Sequence, residues 1–184
     1  MHFEKVKGGY RVAGESPIPF LVIPKWHRGR RVTTIGKLTG RLVGLGMQGN
    51  ILQIEDSALE GQEDLEIVTV PASLVGIGRN AFAGCKKLKK FDASYSCLSV
   101  VGGGAFAECE SLEEVKLPNW VTSIGAGAFK NCKALTSFQN PEGNTVVEEK
   151  CFWGCEKLTE FVCKEGVFVA KDALTGTKVK GVRL

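Results

Sequence analysis

Histidine is almost missing: His2 and His27 are the only two among 184 residues. That leaves little for imidazole-based acid–base catalysis or for zinc sites built on histidine. Proline is scarce, with six residues, and no Gly-X-Y period occurs, which excludes a collagen-like chain. No apolar run approaches the ~18 residues of a membrane-spanning helix, and the best stretch, Ile18 to Ile23, is broken by Pro19. The first thirty residues lack the apolar segment of a secretory leader. With an odd number of cysteines, this points to the cytoplasm unless a leader has been removed. A net charge of +4 is too small to demand a nucleic acid or a membrane. Neither G-x-S-x-G nor G-x-x-x-x-G-K occurs.

What the chain does have is glycine, 23 residues of it, in a sequence that is 43% hydrophobic and 24% charged. A folded core is expected. Self-comparison explains the glycine. Ile77 to Leu88 reads IGRNAFAGCKKL, Val101 to Leu112 VGGGAFAECESL, Ile124 to Leu135 IGAGAFKNCKAL, and Val147 to Leu158 VEEKCFWGCEKL. The steps are 24, 23 and 23 residues. Weaker copies start at Ile54 and Val169, and a shortened one at Ile35.

Each copy runs on into Leu-x-x-apolar-x-apolar, as in Leu65/Val68/Val70, Leu88/Phe91/Ala93, Leu112/Val115/Leu117 and Leu158/Phe161/Cys163. Leu135/Phe138 continues with the polar Asn140. Eight such segments start at residues 18, 42, 65, 88, 112, 135, 158 and 179. The period-two ending predicts strands with one buried face. A second β-branched motif precedes each Ile-Gly, as in Ile51-Leu52-Gln53-Ile54 and Val121-Thr122-Ser123-Ile124, and predicts a narrower second row of strands. The Ala-Phe-x-x-Cys piece is too short for a free helix and reads as one helical turn or a tight corner. One repeat cannot bury its own apolar face, so the repeats must stack. The expected fold is predominantly β: a solenoid of about eight coils with a parallel sheet roughly 34 Å long. Phe82, Phe106, Phe129 and Phe152 should form one internal file, and Leu88, Leu112, Leu135 and Leu158 another.

This repeat, IGxxAFxxCxxLxxVxLP, resembles the leucine-rich repeats of the BspA type, found in bacterial surface proteins and some protists. Ile124 to Leu135 and Val115-Lys116-Leu117-Pro118 carry it best. Tyr10-Arg11-Val12, Phe20 to Pro24 and Gly29 to Gly36 resemble that family's lead-in segment. The shortened first coil, Cys151 in place of alanine and Asn140 depart from the pattern. The resemblance implies a cell-surface or secreted protein with roles in adhesion or interaction, against the cytoplasmic reading above.

Residues 1–34 are read as an N-terminal cap and first coil, and 35–184 as the solenoid, within a single domain. Gly8-Gly9 between Val6 and Tyr10 signals a hairpin covering the open end of the first coil. At the other end, Val179/Val182/Leu184 reads as an uncovered strand, and self-association through this coil is expected.

Cys85, Cys109, Cys132 and Cys155 share one repeat position. Sulfurs in a row cannot form a tetrahedral zinc site, and an odd total does not suggest a disulfide framework, so they read as packing groups. Cys151/Cys155 could form a redox pair only as a minor alternative. Gly76-x-Gly78-x-x-Ala81 imitates a dinucleotide fingerprint, but no room exists for the required helix. No catalytic residue, cofactor or metal is expected.

Two candidate sites remain. The outward positions of the Leu-motif strands form the natural recognition face for a protein partner: Phe20 and Val22, Gly44 and Gly46, Ile67 and Thr69, Lys90 and Asp92, Glu114 and Lys116, Ser137 and Gln139, Glu160 and Val162, Gly181 and Arg183. The early end is apolar or bare, unless the hairpin or the Trp26 loop covers it. Repeat alignment sets Lys89 beside Glu113, Lys90 beside Glu114 and Asp92 beside Lys116, all complementary. The alternative is a polyanion site in the loop Lys25, Trp26, Arg28, Arg30 and Arg31, against the reading of a solvated turn. Membrane insertion is not expected, and nucleic acid is the less favoured partner.

Overall fold

A computed structural model describes residues 1–139 and 144–180. Asn140 and the positions Gly181, Val182, Arg183 and Leu184 lie outside the described residues, and so does the end proposed for self-association. Strands β1 (His2–Val6) and β2 (Gly9–Glu15) are followed by β3 (Phe20–Ile23), β4 (Trp26–His27), β5 (Arg30–Thr39) and β6 (Gly44–Met47). Two strands per coil then alternate. They are β7 (Gln53–Ile54), β8 (Ile67–Thr69), β9 (Gly76–Ile77), β10 (Lys90–Asp92), β11 (Val100–Val101) and β12 (Glu114–Lys116). The last are β13 (Ser123–Ile124), β14 (Ser137–Gln139), β15 (Val146–Val147), β16 (Glu160–Val162) and β17 (Phe168–Val169). No helix occurs among the described residues.

The molecule is a parallel β-solenoid of about seven turns. The narrow row is the continuous one. Thr34, Gln53, Gly76, Val100, Ser123, Val146 and Phe168 pair in succession from β5 to β17. The Leu-motif row is divided into three short sheets, β3-β6-β8, β10-β12 and β14-β16.

The corners are sharper than a helical turn. Asn80 and Gly84, Gly104 and Glu108, Gly127 and Asn131, and Lys150 and Gly154 all have positive φ. A left-handed residue at every fourth position stops a right-handed helix. The Ala-Phe-x-x-Cys piece therefore closes as single reverse turns, such as Cys85 N–H to Phe82 C=O at 3.1 Å. The phenylalanine amides are left to bond to the next coil: Phe82 to Ala105 O at 2.7 Å, Phe106 to Ala128 O at 2.7 Å, and Phe129 to Cys151 O at 2.8 Å. The corner is thus a third hydrogen-bonded ladder between coils.

The files inferred from the repeat are present. Phe82, Phe106, Phe129 and Phe152 stack with ring centroids 5.1, 5.4 and 5.3 Å apart and planes within 11°. A second set packs against them: Phe91 lies 4.7 Å from Phe106, and Phe138 4.7 Å from Phe152. Leu88, Leu112, Leu135 and Leu158 are fully buried. Such ring pairs contribute ~0.5–1.5 kcal/mol each beyond area burial.

At the N-terminal end β1 and β2 form the expected hairpin, with Val6 opposite Gly9 and Gly8 at φ 91°. β2 joins β5 in parallel. Arg11 fastens the hairpin to the coils: Nη1 donates to Glu4 at 2.7 Å and Nε to Glu55 at 2.7 Å. Its guanidinium lies on Gly36, where any Cβ would collide with it.

Candidate functional site

The outward side chains of the Leu-motif row lie where strand alternation puts them. Phe20, Val22, Ile67, Thr69, Lys90, Asp92, Lys116, Ser137, Gln139 and Glu160 are exposed, and Glu114 and Val162 half-exposed. The early end is an apolar shelf on which Phe20 is 59%, Val22 56% and Ile67 56% accessible. Neither the hairpin nor the Trp26 loop covers it. Gly44 and Gly46 explain its flatness. A Cβ on Gly44 would come 2.7 Å from the Phe20 ring, and one on Gly46 3.3 Å from a Val22 methyl. Both side chains therefore lie across bare backbone of β6. Ile18, also exposed, extends the shelf beside a groove of about 430 Å³ that Pro17 and Arg41 help to line.

The middle of the face is charged and internally neutralised. The inferred register holds, with Lys90 opposite Glu114 and Asp92 opposite Lys116. Glu114 takes both lysines, Lys90 at 3.1 Å and Lys116 at 2.9 Å. Lys116, then Lys90, hold its carboxyl below the usual range. Asp92 instead accepts the Ser94 hydroxyl at 2.6 Å and the Ser94 N–H at 3.0 Å, and these bonds lower its pKa. The inferred Asp92–Lys116 ion pair is therefore replaced by one within β12. Lys89 and Glu113 meet through backbone, Glu113 N–H to Lys89 C=O at 2.8 Å. Farther along, Ser137 pairs with Glu160 and Gln139 with Val162.

The basic loop is a hairpin. β4 pairs with β5, Trp26 opposite Arg31 and His27 opposite Arg30, around Arg28 and Gly29 with φ 46° and 73°. Pairing divides the cluster between two faces. Arg31 sits 5.9 Å above the Trp26 ring. His27 faces the cap, stacked on Phe3 at 4.0 Å and edge-on to Tyr10 at 4.9 Å. Among the described residues, Lys25, Arg28, Arg30 and Arg31 enter no ion pair.

The cysteine row is a packing device with a hydrogen-bond ladder. Cys85 S–H points to Leu59 C=O at 3.4 Å, Cys109 to Phe82 at 3.1 Å, Cys132 to Phe106 at 3.2 Å and Cys155 to Phe129 at 3.0 Å. Cys85, Cys109, Cys132, Cys151, Cys155 and Cys163 are buried, and Cys97 alone is exposed. The neighbouring thiol and burial push Cys109 well above the usual thiol range; burial first, then Cys155, does so for Cys132. Burial raises Cys151 likewise. No group of three or more potential metal ligands forms among the described residues.

The outward face of the narrow row went unassigned in the sequence. It carries an exposed apolar residue on most coils: Leu52, Val75, Val100, Val146 and Phe168. The signal was available, because an apolar residue stands one or two places before Ile54, Ile77, Val101, Val147 and Val169, though not before Ile35 or Ile124.

The family description "BspA type Leucine rich repeat region" matches residues 41–178 in six copies. Among solved structures, the chain is similar to the leucine-rich repeat protein of T. pallidum, with 25% identity and a TM-score of 0.76 over 91% of this chain and 82% of that one. It is also similar to a leucine-rich repeat protein from Bacteroides ovatus, with 27% identity and a TM-score of 0.61. That match covers 97% of this chain and 55% of the other. No curated protein matches the chain. No helix among the described residues is long and apolar enough to cross a membrane.

Proposed function

We propose that this chain, which belongs to the BspA-type leucine-rich repeat family, is a non-catalytic scaffold that binds a protein partner, in an interaction or adhesion role, through its Leu-motif strand face. The observation that carries the reading is the Phe20–Val22–Ile67 shelf. Three large apolar side chains stand exposed on the two strands that flank the bare glycines of β6. Rigid, pre-ordered apolar side chains lose little entropy on binding, and such anchors dominate interface energetics. The zwitterionic strip beyond, centred on Glu114, suits a polar rim.

The test compares recovery of one partner by the wild type, Phe20→Ser, Ile67→Ser and Ser137→Asp. The shelf variants should lose binding by about tenfold or more, equivalent to ~1.4 kcal/mol. Ser137→Asp should retain it, with little salt dependence. Full retention by both shelf variants would overturn the assignment. A second reading rests on the cations of the Arg28 hairpin, which enter no ion pair among the described residues: a polyanion held by Lys25, Arg28, Arg30 and Arg31 beside Trp26. It predicts heparin binding that falls steeply with salt. Heparin binding that survives substitution of all three arginines by alanine would remove it.

A further inference from the structure

The narrow-row face, on another side of the coil, holds an unassigned trough. One groove of about 730 Å³ is floored by Gly102, Gly103, Gly125 and Ala126. A second, of about 800 Å³, continues over Glu148 and Ala170. Both grooves include Ala126 and Glu148, so they run on as one depression parallel to the solenoid axis. Val100, Ser123, Val146 and Phe168 line it from the strand row, and Ala107, Lys130 and Thr175 from the corner turns.

Part of the bare floor is demanded by the fold and part is not. A Cβ on Gly102 would lie 2.6 Å from the Gly78 backbone, and one on Gly125 2.5 Å from the Gly103 backbone, so close stacking of coils requires glycine at both. Gly103 differs. Its nearest obstacle is the Ala126 carbonyl oxygen at 3.2 Å, and its φ is not positive. The equivalent residue of the coil before is Arg79, which shows that this position can carry a long side chain.

We infer that the trough is a docking groove for an amphipathic α-helix of a partner protein, lying along the solenoid axis. Spacing favours a helix over an extended chain. Coils repeat about every 4.8 Å, as hydrogen-bonded strands do. Successive turns of a helix present one face every ~5.4 Å, a mismatch of roughly 0.6 Å per coil. A strand presents the same face every ~6.8 Å, roughly 2 Å out of step per coil. From Val100 to Phe168 the ridge advances three coils, roughly 14 Å, which about 10 helical residues span. Helix-in-groove recognition reads apolar anchors that recur on one helix face. Phe168, Val146 and Val100 would meet such anchors at roughly i, i+3 and i+10, with Ser123 on the coil between.

Charge sets the direction. Arg79 stands at one end of the trough, and Glu108 and Lys130, on the next two coils, carry opposite charges. Glu148, Glu149 and Asp172, against Lys171 alone, stand at the other. A helix whose positive N-terminal end lies over Glu148, Glu149 and Asp172, and whose negative end lies toward Arg79, is the complementary arrangement. This site is independent of the Phe20 shelf.

The probe is a fluorescein-labelled, Leu-faced amphipathic 14-mer with lysines at its N-terminal end and glutamates at its C-terminal end. The control is the same composition with two central prolines. Anisotropy titrations against the whole chain should show saturable binding of the helical probe, at least tenfold tighter than the proline control. Gly103→Gln fills the floor and Val146→Ser removes an anchor. Each should weaken the probe about tenfold or more, with the circular dichroism and melting temperature unchanged. Phe20→Ser should leave the affinity as it is. Failure of the helical probe to saturate, equal binding of the proline control, or full affinity in both groove variants overturns the inference. Loss of probe binding on Phe20→Ser would assign the probe to the shelf and likewise overturn it.

Discussion

Removing the Phe106 ring tests the stacked-coil energetics where they are strongest. Phe106 is fully buried and meets three rings: Phe82 at 5.1 Å, Phe91 at 4.7 Å and Phe129 at 5.4 Å. It therefore stands in the interface with the coil before and in the interface with the coil after. Phe→Ala in a core costs about 3–5 kcal/mol, and three ring partners place this position near the top of that range. In a one-dimensional stack the loss falls on two neighbour interfaces at once. Urea titration followed by far-UV circular dichroism should show a midpoint far below wild type and a broadened transition. Phe106→Leu gives a milder variant that still folds. Ser137→Asp, on the exposed face, should stay within ~0.5 kcal/mol of wild type. A loss below ~1.5 kcal/mol for Phe106→Ala, or an equal loss for Ser137→Asp, would refute the inward and outward assignment.

Other outcomes follow from the same geometry. Of the seven thiols, only Cys97 is exposed, so Ellman's reagent should modify one per native chain quickly and all seven after denaturation; several fast thiols would contradict the buried row. Gly102→Ala drives a Cβ to 2.6 Å from the Gly78 backbone and should cost about 1–3 kcal/mol, whereas Gly103→Ala should cost only a few tenths; the reverse order would misplace the floor of the trough. Asp64, held low by Lys87 and then Arg41, and Glu114, held low by Lys116 and then Lys90, have carboxyls lowered on folding. The stability they contribute is therefore present above their unfolded values near pH 4 and is lost as pH falls through the lowered folded values. Asp64→Asn with Glu114→Gln should flatten this acid limb of the stability profile; an unchanged limb would show that these pairs are not coupled to folding.

The repeat made the buried files legible, because a 23-residue register tells each Phe and Leu which neighbours it meets. It also gave the register between Lys90 and Glu114. It did not show that Glu114 would hold both lysines while Asp92 turned to Ser94, since local side-chain bonds compete with cross-strand ones. Nor did it show that the narrow row would carry the continuous sheet. Two-residue strands give too short a pattern to rank against the longer Leu motif. The corner read as either a helical turn or a tight corner, and the choice stayed open because its αL residues include Asn80, Glu108, Asn131 and Lys150 as well as glycines. The apolar shelf was visible as Phe20, Val22 and Ile67. The role of Gly44 and Gly46 beneath it needed coordinates. The trough escaped notice because bare backbone leaves no side chain to single out.

The ring-to-ring nuclear Overhauser pattern in phenylalanine-labelled protein tests the stacked-coil account most directly. The account predicts cross-peaks between Phe82 and Phe106, Phe106 and Phe129, and Phe129 and Phe152, with none between Phe82 and Phe129. Absence of the Phe106–Phe129 peak, in a chain otherwise folded, would contradict it.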